Sequence, residues 1–228
     1  MRDKVLVALV LIFGLVCLGV GYAGAAVLGV GTVTTTTTQT NTVTQTSVTQ
    51  NLSAPYVLTL VITTGNTYNG TVGEQPAYYV LGQNGLQSSA NISLPAHRLI
   101  KLVIINYDDG NASLISPSYA NVNGTTGGTI SFASNANVNS TQLSSGILIR
   151  GVQTVSAVPT DLIAHTFTIP SLGLNVPIPL SSTVVATFTV DRTGTFIWFC
   201  MTTCGSGSNG LAGAMATPGW MTGSVTVS

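Results

Sequence analysis

Two cysteines near the end of the chain are the clearest candidates for chemistry. Cys200 ends the aromatic run Thr195–Cys200, and Cys204 follows in a turn that leads into a glycine-rich loop. Two thiol groups held near one point can join as a disulfide or bind a soft metal such as copper. The spacing predicts that both sulfurs lie near one point, and it leaves both outcomes open.

Few other side chains could complete a metal site with these sulfurs. The chain has two histidines, His165 in the segment AHTFTIPSLGLNVPIP and His97 before a predicted strand. Met215 and Met221 follow the glycine-rich loop and offer thioether sulfur, a weak axial ligand for copper. A mononuclear blue copper site normally uses two histidines, one cysteine and a weak axial ligand. The small number of histidines therefore limits which kind of copper site this chain could form.

Other catalytic arrangements are missing from the sequence. Two histidines leave little material for a Ser-His-Asp triad, and no GxSxG or HExxH motif occurs. Asp108 and Asp109 stand before Gly110 and predict a solvated turn rather than an acid–base pair. Hydrolysis is therefore not an expected activity of this chain.

The elements that must position these residues are predicted to be β-strands. Tyr56–Thr63 and Arg98–Tyr107 are rich in β-branched residues, which favour strands. Further strands are expected at 128–132, 146–150, 165–169, 183–190, 195–200 and 223–227. Short strands separated by Gly, Pro, Asn and Ser predict an antiparallel sandwich or barrel. Because loops converge at one end of a sandwich, His165 and the two cysteines can meet there.

The N-terminal part predicts a membrane anchor followed by a stalk. The run from Val5 to Val33 holds no charged residue and is longer than the ~20 residues that cross a bilayer. Residues 1–33 are therefore expected to form one transmembrane helix, with signal cleavage after the A-x-A sequence at 23–25 as the alternative. Residues 34–51 are threonine-rich and lack apolar periodicity, so they predict a stalk, with 52–228 as the folded domain.

Charge and sequons bear on where the folded domain resides. The basic residues Arg2 and Lys4 predict a cytoplasmic N-terminus, which makes this a single-pass cell-membrane protein with its C-terminal domain extracytoplasmic. Six basic and six acidic residues give zero net charge without a basic cluster, so nucleic acid is not an expected partner. The N-x-[ST] sequons predict a glycosylated surface protein. They lie at Asn51, Asn69, Asn91, Asn111, Asn123 and Asn139.

At the cysteine and histidine motifs the sequence resembles the cupredoxin superfamily. It is most similar to the copper domain of cytochrome oxidase subunit II and to membrane-anchored, sulfocyanin-like copper proteins of archaea and bacteria. The segment that begins at His165 matches the pattern H-[ST]-F-x-[IV]-P-x-L-G, and Cys200 to Gly205 matches the first half of C-x-x-x-C-G-x-x-H-x-x-M. The ending from Pro218 to Val227 is similar to the Gly-Met-x-Gly-x-Val-x-Val exit of both groups. The resemblance spans residues 98–227.

The resemblance implies a fold and a set of copper ligands. It implies a Greek-key, cupredoxin-like β-sandwich preceded by one N-terminal transmembrane helix. It also implies copper as the cofactor, with metal ligands at His165, Cys200, Cys204 and Met221. In this role the chain would transfer single electrons near a respiratory chain, as a subunit II-like component.

The sequence departs from the family at the second histidine. Counting from Cys204 places that position at Ser208, whereas an alignment through Met221 places it at Pro218. A copper site in this chain would therefore be altered. The alternative is a metal-free, glycosylated cell-surface domain stabilised by a disulfide between Cys200 and Cys204, since an extracytoplasmic location favours disulfides.

Overall fold

The computed structural model describes residues 54–65, 75–135, 151–204 and 213–228. Contacts divide the chain into Met1–Ser53 and Ala54–Ser228, and every described residue belongs to the second unit. The predicted transmembrane helix, the predicted stalk and the predicted strand at 146–150 lie outside the described residues. Among the residues described, no helix is long and apolar enough to span a bilayer.

Two β-sheets make up this unit, which confirms the prediction of an all-β sandwich. Within the described ranges the strands are β1 (Tyr56–Thr63), β2 (Ala77–Gly82), β3 (Gly85–Ser88), β4 (Asn91–Leu94), β5 (Leu99–Asn106), β6 (Ile130–Ser134), β7 (Gln153–Val155), β8 (Ile163–Ile169), β9 (Leu174–Pro179), β10 (Ser182–Thr189), β11 (Gly194–Phe199) and β12 (Thr222–Val227). One sheet has seven strands in the order β3-β2-β1-β5-β10-β6-β7. The other has five strands in the order β4-β12-β11-β8-β9.

The strand pairing is mixed rather than purely antiparallel. Strand β1 runs parallel to β5, and β4 runs parallel to β12, whereas the remaining pairs are antiparallel. The expectation of a wholly antiparallel sandwich was therefore wrong at two pairs. Partners so far apart in sequence are joined by long connections, and only short hairpin loops require antiparallel pairing.

Alternating side chains of the two sheets form a shared core. Strand β5 turns Ile100, Leu102 and Ile104 inward while Leu99 and Lys101 stay exposed. All residues of β8 and β9 are buried, so both faces of this edge of the five-stranded sheet are covered. Part of that cover is the connection before β6, where Asn123 exchanges backbone hydrogen bonds with Asn175 of β9.

Strand β9 was missed by the sequence analysis for a clear reason. Its sequence, LNVPIP, contains Pro177 and Pro179, which lack an N–H and normally argue against a strand. Strand β9 lies at the edge of its sheet, where only one side needs ladder hydrogen bonds. The prolines are tolerated at that edge because their missing donors face away from β8.

A tight contact between β11 and β12 fixes the last strand. Trp198 of β11 stands opposite Gly223 of β12, and its Nε1–H donates a 3.1 Å hydrogen bond to the carbonyl oxygen of Ser89. A Cβ atom added at Gly223 would lie 2.5 Å from Trp198 Nε1 and 2.7 Å from that carbonyl oxygen. Only glycine fits this position without moving the indole ring.

Substituting Gly223→Ala is expected to destabilise the domain by roughly 1–3 kcal/mol, because overpacking displaces buried groups. Denaturant unfolding followed by tryptophan fluorescence measures the loss. Gly82→Ala is the matched control, since its added Cβ would meet only the flexible side-chain end of Gln87, at 3.0 Å. The control should change stability by no more than about 1 kcal/mol. Equal losses in both variants would contradict the packing explanation.

Candidate metal centre

The two strands next to each other in the five-stranded sheet bring the histidine and the first cysteine together. His165 lies on β8, and Cys200 follows the last residue of β11, the neighbouring strand. The Cys200 N–H donates to the carbonyl oxygen of Met221 at 2.8 Å, and the N–H of Met201 donates to Thr166 Oγ1 at 2.8 Å. These bonds hold the chain beside both neighbouring strands after β11 has ended.

Three donor atoms, from residues that the sequence analysis singled out, meet at this point. The Nδ1 atom of His165 is 2.8 Å from Cys204 Sγ and 3.8 Å from Cys200 Sγ. All three donor atoms lie within 4.8 Å of one another, and all three residues are buried. Two thiols and one imidazole form a soft donor set that could hold a metal ion such as copper.

The disulfide considered as an alternative is not formed in this structure. Both cysteines are free, with their Sγ atoms 3.8 Å apart. A disulfide bond is about 2.05 Å long. The sulfurs therefore remain available as ligands.

The side chain of Asp108 orients the imidazole, and here the sequence analysis was wrong. Its Oδ2 atom is 2.9 Å from His165 Nε2, and the side chain is only 16% exposed. The prediction of a solvated turn holds for neighbouring Asp109 and Gly110, which are exposed. With Nε2–H donating to the carboxylate, Nδ1 is the ring nitrogen left facing the sulfurs. No sequence signal distinguished Asp108 from Asp109, because which of them turns inward depends on where β5 ends relative to β8.

The loop between the cysteines is tied to a second segment of chain. Thr203 N–H donates to the carbonyl oxygen of Ser113 at 3.0 Å, and Ile115 N–H donates to that of Met201 at 2.9 Å. Buried Thr202, between them, faces the sulfurs with its hydroxyl group. Sequence reasoning missed Thr202 as well, since threonine is common throughout this chain.

Charges within the cluster shift its pKa values. Burial disfavours a charged imidazole, but the hydrogen bond to Asp108 and the contacts with Cys200 outweigh burial and raise the pKa of His165 to about 9. Burial likewise opposes ionisation of Cys200, yet its hydrogen bonds with Cys204, His165 and Thr202 lower the pKa of that thiol. The bond to Cys200, together with burial, raises the pKa of Cys204. The two sulfurs thus share one negative charge, paired with the imidazolium.

Aromatic side chains shield one side of the cluster from water. The ring of Tyr78 lies edge-on to His165 at a centroid distance of 6.1 Å, and its hydroxyl donates to the carbonyl oxygen of Thr166. Trp198 is fully buried and packs against Tyr78 at 5.0 Å. On another side, a cavity of about 360 Å³ reaches the cluster. It is lined by Pro76, Asp108, Gly110, Asn111, Ala112, Ser113, Thr203 and Cys204.

The other candidate ligands are two buried methionines and a second, exposed histidine. Met221 is fully buried and precedes β12, with its carbonyl bonded to Cys200. Met215 is buried in the short 3-10 turn Gly213–Ala216, next to Ala214, whose carbonyl accepts from the Met221 N–H. His97 is exposed and pairs with Asp191 at 3.5 Å, so it stands outside the cluster. Ser208 lies outside the described residues.

Comparison with known proteins finds structural likenesses only. No protein-family model matches the chain, and no curated protein matches it. A multicopper oxidase is 13% identical with a TM-score of 0.31, over 75% of this chain and 43% of that one. Auracyanin B is 12% identical with a TM-score of 0.30, over 77% and 91%. The periplasmic domain of cytochrome oxidase subunit II from Bradyrhizobium japonicum is 11% identical with a TM-score of 0.32, over 76% and 83%.

These likenesses include the subunit II domain that the histidine and cysteine motifs resemble. The chain spans less than half of the multicopper oxidase. Likenesses at such TM-scores do not identify a function, so the metal hypothesis rests on the residues of the site.

The metal-free domain is expected to keep a nearly constant free energy of unfolding from pH 6.5 to about pH 9. The raised pKa of His165 stabilises the fold below 6.5 and loses this effect as pH rises through about 9. The lowered pKa of Cys200 has the opposite pH dependence. It stabilises the fold fully above 9.0, the ordinary pKa of a thiol, and this stabilisation is lost as pH falls. Folding therefore moves one proton from sulfur to imidazole without net uptake.

Denaturant unfolding at several pH values tests this balance. In the double variant Cys200→Ser/Cys204→Ser only the pair of His165 with Asp108 remains, so stability should fall as pH rises above 6.5. A slope in the wild-type protein as steep as that of the double variant would contradict the imidazolium–thiolate pair.

Proposed function

We propose that this chain is a copper protein that transfers single electrons. The observation that carries the proposal is the convergence of His165 Nδ1 with the sulfurs of Cys200 and Cys204 in a buried pocket. Bound copper would supply one-electron oxidation and reduction at this point. Thiolate and imidazole are the donor types that suit copper, and among the described residues the carboxylate at the ring, that of Asp108, bonds the other nitrogen, Nε2.

The protein's own groups fit the task of holding such a metal. Asp108 fixes the ring of His165, which is the role that an outer carboxylate plays for a metal-binding histidine. Cys200 already tends toward the thiolate form that binds metals. Tyr78 and Trp198 exclude water from one side, so the surroundings need little rearrangement when the charge of the site changes.

The donor set remains one imidazole short of a mononuclear blue site. Met221 is the residue we propose as the weak axial ligand. Its support is the sequence motif around it, its complete burial, and the 2.8 Å hydrogen bond that ties its backbone to Cys200. Met215 is also buried, but among the described contacts it has no hydrogen bond to either cysteine, so it is the weaker candidate.

We further propose that the domain works outside the cell, attached to the membrane by residues 1–33. The support is the uncharged run from Val5 to Val33, the stalk composition of 34–51 and the sequons. In this location its partner would be a component of a respiratory chain. With 5% charged residues and zero net charge, the domain would meet that partner without strong electrostatic steering.

Titration of the purified full chain with Cu(II) is expected to give an intense thiolate-to-copper absorption band. Cys200→Ser should abolish the band, because it removes a sulfur from the cluster. Cys17→Ser is the matched control and should leave the band unchanged, since Cys17 lies in the predicted membrane segment. EPR at one and two equivalents of copper separates a mononuclear from a binuclear centre. A wild-type chain without any such band would refute the proposed function.

Met221→Leu is expected to change the copper spectrum and raise the reduction potential, because a thioether would be lost from the axial position. Voltammetry and visible absorption measure both effects. Met215→Leu is the matched control, because it removes a thioether of similar burial from the neighbouring turn. If the Met215 variant shifts the potential and the Met221 variant does not, the axial ligand has been assigned to the wrong methionine.

A further inference from the structure

The hydroxyl group of Thr202 lies between the two sulfurs. Its Oγ1 atom is 2.6 Å from Cys204 Sγ and 3.0 Å from Cys200 Sγ. The same atom is 3.1 Å from the carbonyl oxygen of Ala164, which Cys204 Sγ also approaches at 3.2 Å. Thr202 is fully buried, so water does not compete for these contacts.

The backbone around Thr202 is held independently of any metal. Thr202 forms an isolated β-bridge with Leu114, flanked by the hydrogen bonds from Ile115 to Met201 and from Thr203 to Ser113. The hydroxyl is therefore fixed in place by the second segment of chain, and the sulfurs meet a preformed polar group.

The hydroxyl of Thr202 has a different hydrogen-bonding role in the metal-free and the metal-bound site. A threonine hydroxyl has one hydrogen to donate and two lone pairs. In the metal-free site its one hydrogen can go either to the Ala164 carbonyl oxygen or to the sulfur of Cys200. Metal binding removes the protons from both sulfurs. The hydroxyl is then the donor in this group of contacts, and a bond to a charged sulfur is about twice as strong as one to a neutral carbonyl.

We propose that Thr202 is a positioning residue of the metal centre, an inference that rests on the proposed copper function. Its hydroxyl holds the sulfurs of Cys200 and Cys204 beside one point in the metal-free protein and donates a hydrogen bond to a thiolate when copper is bound. Such a bond withdraws electron density from sulfur, and hydrogen bonding around a cysteine ligand tunes the potential of copper. Thr202 therefore raises the reduction potential, and by holding both sulfurs in place it strengthens copper binding.

The test compares variants of Thr202 in the full chain, with Cu(II) as the probe. Thr202→Val should weaken copper binding about 10- to 100-fold, the usual effect of losing an outer partner of a ligand. It should also lower the reduction potential and move the thiolate band to longer wavelength. Thr202→Ser keeps the hydroxyl and should stay close to wild type. Thr202→Ala removes the same hydroxyl and replaces the valine variant if that variant does not fold.

Thr168→Val controls for the loss of a buried hydroxyl as such. Thr168 is almost fully buried, and its hydroxyl bonds run to Thr166 and Asn175 rather than to a sulfur. This variant should lose stability without a shift in band or potential. Unchanged affinity, band and potential on removal of the Thr202 hydroxyl would overturn the inference and leave the copper function standing. A wild-type chain that gives no thiolate band would overturn both.

Discussion

The hydrogen bond between Asp108 and His165 is the contact on which the buried cluster depends. Two thiols and an imidazole lie together in the interior, where an unpaired charge costs several kcal/mol. The carboxylate, 2.9 Å from Nε2, stabilises the imidazolium, and the imidazolium in turn stabilises a thiolate. It also directs Nδ1 toward the sulfurs. Without this partner, Nε2 would lose its hydrogen bond and the ring would be held by its contacts with the sulfurs alone.

Because of this contact, the site contains residues from both sheets. His165 and Cys200 belong to neighbouring strands of the five-stranded sheet, whereas Asp108 follows β5 and Tyr78 lies on β2 of the seven-stranded sheet. The ligands and the groups that orient them therefore meet only when the two sheets are correctly positioned against each other. Contacts between the sheets, such as that between the rings of Trp198 on β11 and Tyr78 on β2 at 5.0 Å, maintain this alignment, because a well-packed interior resists small displacements.

The chain has few charged residues, and one of them has a role in the site. Only six acidic residues occur in 228, and one of them, Asp108, lies in the site instead of on the surface. Solvation is left mainly to threonine, serine, asparagine and glycine. Threonine also contributes inside, where Thr202 contacts both sulfurs and Thr166 holds the loop after Cys200. Threonine thus contacts water at the surface and also forms hydrogen bonds with buried polar groups near the cluster.

Local pattern predicted seven of the twelve described strands and singled out the three donor residues, whereas β2, β3, β4, β7 and β9 were not predicted. Tyr56–Thr63 was predicted with the bounds it has, because β-branched runs between turn-formers carry their own strand signal. The spacing of Cys200 and Cys204 predicted that their sulfurs lie close together, whereas His165 could join them only if its strand lay beside theirs. Strand β9, with its two prolines, became a strand only because an edge position in a sheet tolerates them. Asp108 and Thr202 likewise gained their roles from tertiary structure, since hydrogen bonds between residues distant in sequence depend on packing that no local pattern encodes.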